Sequence, residues 1–189
     1  MNVMVPLAEG FEELEAVTVI DTLRRAGWTV AAAGLAAGPV PGSHGIGLQP
    51  DILLDEVDVK DFDMIVLPGG MPGTERLCDD RRVHTLLQAL HAAQRWIGAI
   101  CAAPLVLHHA GILKKRRYTC YPGLEQRIAT GIHESHEVVV DGHLVTSRGP
   151  GTALPFALTL VGRVAGSFAA RELAGQMLVP WQGEELPSV

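Results

Sequence analysis

The sequence contains no apolar run that approaches the ~20 residues needed for a membrane-spanning helix. Its first residues, MNVMVPLAEGFEELEAV, lack the basic segment of a secretory signal peptide and turn acidic early. Basic side chains are also scarce: 15 Lys and Arg stand against 21 Asp and Glu, a formal net charge of −6, and they form no stripe. We therefore expect neither a membrane nor a nucleic acid as a partner.

Cysteine is rare, with only Cys78, Cys101 and Cys120 in 189 residues. An odd, low number of cysteines without a secretion signal indicates reduced thiols and a cytoplasmic protein. The chain also has no repeat, no low-complexity segment and no charged linker. Its length fits one unit, so we expect a single domain over residues 1–189.

Short apolar segments alternate with segments of helical period along the chain, which predicts an α/β fold with a mostly parallel sheet covered on both faces. Proline and glycine are frequent in residues 38–54, which favours a loop or a small edge hairpin there. In such folds the site lies at the carboxyl ends of the strands, near a switch in strand order. That rule selects three turns: AEGFEELE, LPGGMPG and AICAAP.

Cys101 lies where the apolar segment WIGAI gives way to a leucine-rich helical segment. A sharp turn at such a junction projects the side chain out of the sheet, and a helix N-terminus favours a thiolate. The alternative is a small buried core residue, which is a frequent role of free cysteine. The pattern alone does not decide between them.

The turn LPGGMPG brings two glycines to the end of another strand. The N–H of Gly70, with that of Ala102, forms a candidate oxyanion hole for a carbonyl attacked by Cys101, and Gly69 lets the chain turn. By itself, the same motif is more typical of an ordinary strand-ending turn.

Three carboxylates crowd the start of the first helix, where the helix dipole favours them, and this explanation suffices for Glu12 and Glu13. Glu15 differs because its position turns inward. A carboxyl that faces a thiolate tends to hold its proton, and such an acid can donate a hydrogen bond and later transfer protons.

Together these segments resemble the ThiJ/PfpI family, most closely its parkinsonism-associated deglycase (DJ-one) branch. GFEELEAV, DTLRRAGWTVAAAGL, FDMIVLPGGMPG, AICAAPLVL and TSRGPGTALPFAL occur in the family's order and spacing, and AICAAP with TSRGPGT is the most specific combination. The resemblance implies a flavodoxin-like three-layer sandwich, a homodimer, and a reactive cysteine that needs no cofactor and no metal.

The resemblance also implies residue roles. Cys101 corresponds to the reactive cysteine, Glu15 to the acid beside it, and Gly70 and Ala102 to the oxyanion donors. The pocket is lined or bordered by Arg148 and Pro150, and the dimer contact lies near Arg25 and the segment 43–45.

Two departures from the family pattern bear on these roles. His44 stands where close relatives often carry arginine. Tyr121 stands where many animal members have histidine, and since a phenol is a poor base near neutral pH, Glu15 would have to carry the proton transfer.

The family implies a glyoxalase- or deglycase-like enzyme, acting on 2-oxoaldehydes such as methylglyoxal or on glycated molecules. One alternative is a redox sensor or chaperone with an oxidisable Cys101. Another is a cysteine hydrolase of the protease or amidotransferase type, with a base from IHESHE, residues 132–137. We interpret that segment instead as a solvated loop, and its histidine spacing as weak support for a metal site. Cys120 is a candidate resolving thiol, although strand alternation would turn it away from Cys101.

Overall fold

The structure is a computed structural model that describes residues 1–181. Its strands in chain order are β1 (Asn2–Leu7), β2 (Thr29–Gly34), β3 (Val40–Pro41), β4 (Gly47–Leu48), β5 (Ile52–Leu53), β6 (Met64–Leu67), β7 (Trp96–Ile100), β8 (Arg117–Tyr118), β9 (Ile132–His133), β10 (Val138–Asp141) and β11 (Leu144–Ser147). The helices are α1 (Glu13–Arg25), α2 (Gly73–Asp79), α3 (Arg81–Ala92), α4 (Pro104–His109), α5 (Ala153–Ala165) and α6 (Ser167–Gln176).

The central sheet has the strand order β10-β11-β7-β6-β1-β2-β5. Every neighbouring pair is parallel except β10 and β11, which form an antiparallel hairpin that turns at Gly142. The order β2-β1-β6-β7-β11 is the flavodoxin-like doubly wound order, so the predicted flavodoxin-like sandwich is confirmed. Short ribbons of β3 with β4 and of β8 with β9 lie outside the sheet.

Side chains of the sheet alternate between two hydrophobic layers, as the period of two along a strand requires. In β1, Val3, Val5 and Leu7 pack into the layer that contains buried residues of α1, α5 and α6, whereas Met4 packs into the layer of α2, α3 and α4. These two layers bury both faces of the sheet and hold the carboxyl ends of its strands in fixed relative positions.

Some local expectations agree with the structure and others differ from it. Residues 38–54 contain the β3–β4 ribbon and the edge strand β5, in keeping with the predicted edge hairpin. The helix α2, which contains Cys78, was not predicted, because its seven residues carry little apolar periodicity. The helix after Cys101 begins at Pro104, so it does not follow the cysteine directly. None of the helices within residues 1–181 is long and apolar enough to cross a membrane.

Candidate active site

The turns AEGFEELE, LPGGMPG and AICAAP lie side by side at the carboxyl ends of three central strands of the sheet. They follow β1, β6 and β7, which are adjacent in the order β7-β6-β1. The chain leaves β1 toward β2 and returns to β6 on the other side, so the change of direction falls between β1 and β6. The crevice that such a change creates is the usual ligand position in this class of fold.

Cys101 occupies a sharp turn between β7 and α4, with a φ of 63° in the left-handed region. Its N–H donates to the carbonyl of Ser147 at 3.0 Å, and its own carbonyl accepts from the N–H of Tyr121 at 2.8 Å. A non-glycine residue costs energy in this conformation, and such strain is concentrated at functional sites. The main chain thus clamps the residue from both sides, and its side chain is 9% exposed.

Glu15, in the first turn of α1, is fully buried. Its Oε2 accepts the N–H of Gly69 at 2.7 Å, while Oε1 has no hydrogen-bond partner in the described part of the chain. Burial raises the pKa of Glu15 to about 7, against the lowering effects of the Gly69 N–H and the neighbouring Cys101 thiol. A buried carboxyl with one free oxygen can therefore gain and lose a proton near neutral pH.

Burial also raises the pKa of Cys101, and the Glu15 carboxylate beside it adds to this rise. The backbone N–H groups of Gly70 and Ala102 act in the opposite direction and lower the pKa of Cys101. The expectation that a helix N-terminus favours the thiolate was too simple, since α4 has only six residues and begins three residues after Cys101. A thiolate is favoured here when Glu15 carries the proton, because the pair then shares a single negative charge.

Glycine is needed at the two positions of LPGGMPG for different structural reasons. Gly70 has a φ of 89°, so it makes the turn that the sequence assigned to Gly69. At Gly69 the constraint is space: a Cβ there would lie 2.7 Å from the Cβ of Cys101 and 2.9 Å from Oε2 of Glu15. Glycine thus permits the main chain of this turn to approach both side chains closely.

The remaining predicted residues lie around this centre. The structure connects Tyr121 to Cys101 through the main chain, and its half-exposed ring lies over Gly149. Arg148 follows Ser147, whose carbonyl accepts the N–H of Cys101. The guanidinium of Arg148 donates to the carbonyl of Ser135 at 3.4 Å. Pro150 opens the turn that leads into α5. Their roles toward a ligand stay predictions.

Sequence reasoning missed the part played by Glu13, which it explained by the helix dipole alone. Glu13 is buried and accepts hydrogen bonds from the N–H groups of His44 (2.7 Å) and Ile46 (3.2 Å) and from the hydroxyl of Ser43 (3.1 Å). Burial acts to raise the pKa of Glu13, but hydrogen bonds from its own N–H and from the loop outweigh it and lower the pKa to about 2. The carboxylate therefore anchors residues 43–46 against α1.

The thiol of Cys120 packs in the hydrophobic layer of α2, α3 and α4, whereas Cys101 belongs to the opposite layer. The argument from strand alternation does not apply to Cys120, because β8 ends at Tyr118. In the segment proposed as a source of a hydrolytic base, His133 packs against Tyr118 and His136 lies 3.3 Å from Glu134. Each of these imidazoles therefore contacts a residue other than Cys101.

Comparison with known proteins places this geometry in a family. The model of the DJ-1/PfpI family matches residues 1–163. Protein DJ-1 homolog B of Arabidopsis thaliana is 40% identical over 94% of this chain, and Protein dj-1beta of Drosophila melanogaster is 38% identical over 95%. A Caenorhabditis elegans relative named glutathione-independent glyoxalase DJR-1.2 is 37% identical over 84% of this chain and 85% of its own length.

The relatives differ in length. The chain spans 41% of the Arabidopsis protein but 98% of the Drosophila protein.

Among solved structures, Toxoplasma gondii DJ-1 in an oxidized form superposes with a TM-score of 0.92 at 36% identity, covering 95% of this chain and 99% of that one. The crystal structure of Drosophila DJ-1beta has the same TM-score at 38% identity, covering 95% of this chain and 98% of that one.

Proposed function

Because this chain belongs to the DJ-1/PfpI family, we propose that it is a cysteine-dependent glyoxalase that converts 2-oxoaldehydes such as methylglyoxal into 2-hydroxy acids. The reaction uses Cys101 as nucleophile and Glu15 as acid and base, and it requires neither a metal nor glutathione. Deglycation of adducts formed by the same aldehydes would use the same nucleophile and is the related activity.

The first step is attack of the Cys101 thiolate on the aldehyde carbon. A C–S bond forms, the π electrons move to the aldehyde oxygen, and the N–H groups of Gly70 and Ala102 stabilise the charge that develops there. Both N–H groups lower the pKa of the Cys101 thiol, which supports their role as donors to an oxygen on the attached carbon. Protonation of that oxygen gives a hemithioacetal.

The second step moves a hydrogen between the two substrate carbons. Glu15, as carboxylate, removes the proton of the former aldehyde carbon, which produces an enediol, and returns a proton to the neighbouring carbon. The product is a thioester of the 2-hydroxy acid, and water then cleaves its C–S bond to release lactate and the thiol. Water is the only co-reactant, since one carbon is oxidised while its neighbour is reduced.

The observation that carries this proposal is the free Oε1 of Glu15, buried beside the Cys101 thiol. A general base works best with a pKa near the working pH, and burial raises the pKa of Glu15 to about 7. The name of the C. elegans relative, a glutathione-independent glyoxalase, supports the same reaction. In this proposal Arg148, Pro150 and Tyr121 border the approach to the thiol.

The test is conversion of methylglyoxal to lactate by the purified chain in the presence of a metal chelator and without glutathione. We expect turnover in the wild type and none in Cys101→Ala. We expect Glu15→Gln to keep alkylation of Cys101 by iodoacetamide while its kcat falls ~10²–10⁴-fold, which is the usual loss when an acid–base group is removed.

The matched control is Glu9→Gln, which removes an exposed carboxylate near the same end of α1. We expect its kcat to equal that of the wild type. Lactate formation that survives Cys101→Ala, or full turnover in Glu15→Gln, would contradict the mechanism.

A second candidate function is redox sensing through Cys101. The same N–H donors and a protonated Glu15 would stabilise the oxygens of a sulfinate, and the Toxoplasma gondii relative has a solved structure in an oxidized form. Intact-mass measurement after mild peroxide tests this function. A gain of two oxygen atoms confined to Cys101 supports it, and oxidation spread over the methionines does not.

We also propose a homodimer that pairs through the outward face of α1. Leu14 and Ile46 are each 63% exposed, and Val17, between them in chain order, is 45% exposed. Apolar side chains grouped on one surface are typical of an interface. Residues 43–46, which Glu13 holds in place, would form part of the same contact.

A further inference from the structure

We propose a second site, separate from Cys101: a site for a divalent transition-metal ion formed by Cys120, Glu125 and His133. One possible ligand atom of each residue, Sγ, a carboxylate oxygen and a ring nitrogen, lies within 4.8 Å of the other two. The three residues come from the loop after β8, from the 3₁₀ helix Leu124–Arg127 and from β9. Separate segments of the chain thus converge at one point.

Main-chain contacts fix two of these residues. Tyr118 pairs with His133 across the β8–β9 ribbon, and the N–H of Glu134 donates to the Tyr118 carbonyl at 2.8 Å. The ring of Tyr118 also lies 5.5 Å from that of His133, measured between centroids. The N–H of Gly123 donates to Oε2 of Glu125 at 2.7 Å, which orients the carboxylate and leaves Oε1 for a ligand.

The set of donors indicates the ion. Thiolate, imidazole and carboxylate are the groups that bind Zn²⁺, at about 2.0–2.3 Å, and a soft thiolate argues against Mg²⁺ and Ca²⁺. Ligand atoms around such an ion lie about 3.3–3.8 Å apart, so the three atoms need to close by at most about 1.5 Å. His133 is exposed and Glu125 is half-buried, so both side chains have room for this movement. Water would complete a tetrahedron.

Charges of both signs act on Cys120, the negative charge of Glu125 and the positive charge of Arg148. Burial and the Glu125 carboxylate raise the pKa of Cys120 to about 11, whereas Arg148 acts to lower it. A divalent ion would balance the thiolate and the carboxylate together. On binding, the S–H bond of Cys120 breaks, its proton leaves to solvent and a sulfur–metal bond forms, with no change of oxidation state.

The position of the site gives it a consequence for the reactive thiol. Tyr121 follows Cys120, and its N–H holds the carbonyl of Cys101 at 2.8 Å. An ion at Cys120 would brace this segment without a direct contact to Cys101. Bound metal would also block Cys120 from acting as a resolving thiol.

The experiment is a titration of the full chain with Co²⁺, carried out in the Cys101→Ser background so that the reactive thiol cannot bind the probe. We expect one equivalent to produce a sulfur-to-cobalt charge-transfer band in the near ultraviolet, and Zn²⁺ to displace it. Cys120→Ser abolishes the band. His133→Ala, a change at an exposed side chain that leaves the fold intact, weakens Co²⁺ binding at least tenfold.

Two matched controls separate this site from others. Cys78→Ser removes a different thiol, and His44→Ala removes the imidazole that lies near Glu12 and Glu13. Both variants are expected to keep the band and its midpoint. The proposal is overturned if the Cys101→Ser chain gives no band, if the band survives Cys120→Ser, or if His133→Ala binds Co²⁺ as tightly as the parent. These readouts do not depend on glyoxalase activity.

Discussion

The N–H of Gly69 lies 2.7 Å from Oε2 of Glu15 and donates to it, which joins the turn after β6 to the first turn of α1. The same glycine is packed against Cys101, so one small residue lies against both the cysteine and the acid. The relative position of the two reactive groups therefore depends on a residue that has no side chain.

Gly69→Ala is expected to disrupt this arrangement. The added Cβ would lie 2.7 Å from the Cβ of Cys101 and 2.9 Å from the N atom of Ala102, so the surrounding chain has to shift. We expect a loss of ~1–3 kcal/mol in the free energy of unfolding, which is typical of overpacking, together with slower alkylation of Cys101. Urea denaturation and iodoacetamide kinetics measure the two effects.

The control for this prediction is Gly175→Ala in α6, where an added Cβ has no atom within 4 Å. It is expected to leave alkylation unchanged and to stabilise the helix by up to ~1 kcal/mol. Equal behaviour of the two alanine variants would show that the close approach at Gly69 has no consequence.

The buried Glu15 should make stability depend on pH. Its pKa rises from 4.5 to about 7 on folding, so the unfolded chain releases the proton first. The stabilising contribution of the protonated form is complete below pH 4.5 and is lost as the pH rises through about 7. Relative to Glu15→Gln, the wild type should lose about 3 kcal/mol between pH 4 and pH 8, since each pKa unit corresponds to ~1.4 kcal/mol. Urea denaturation across this pH range measures the free energy of unfolding, with Glu9→Gln as the control. The same pH dependence of that free energy in wild type and Glu15→Gln would contradict the prediction.

A second pH effect is expected at a pair of histidines, with the opposite sign. Nδ1 of His91 lies 2.9 Å from Nε2 of His143. Burial lowers the pKa of both rings, and the charge of Arg116 lowers it further. At His143 the charge of Asp141 opposes this lowering. The stabilising contribution of the neutral pair is present above pH 6.5 and decreases as the pH falls below that value.

His143→Gln should therefore reduce the loss of stability between pH 7.5 and pH 5. The variant His136→Gln, at an exposed position, serves as its control. Thermal unfolding at the two pH values is the measurement, and a loss in His143→Gln as large as that in the wild type would refute the assignment.

The proposed dimer is tested by placing a charge on the outward face of α1. Val17→Arg should convert a particle with the mass of two chains into one with the mass of a single chain, because a buried unpaired charge is costly at an interface. Light scattering during size-exclusion chromatography gives the mass. Phe168→Arg, at a side chain that is 69% exposed on α6, is expected to leave the mass unchanged. A monomeric wild type would remove the proposal.

Much of the fold followed from sequence, because strands and helices of ordinary length carry their own periodicity. The positions of Cys101, Glu15 and Gly70 at one edge followed from the rule that the ends of adjacent parallel strands meet. Features that rest on contacts between distant segments did not follow. The hydrogen bonds of Glu13 to residues 43–46 look like ordinary dipole stabilisation in the sequence, and Glu125 gives no signal that it lies beside Cys120.

The two main-chain hydrogen bonds that clamp Cys101 have a consequence for how this site can vary. Their partners, the carbonyl of Ser147 and the N–H of Tyr121, are groups that almost any residue supplies. The half-exposed side chain of Tyr121 can therefore change without releasing the nucleophile from its strained conformation. Substitutions at the rim of the site can therefore change which groups meet a ligand, while the main-chain hydrogen bonds keep the thiol in the same position.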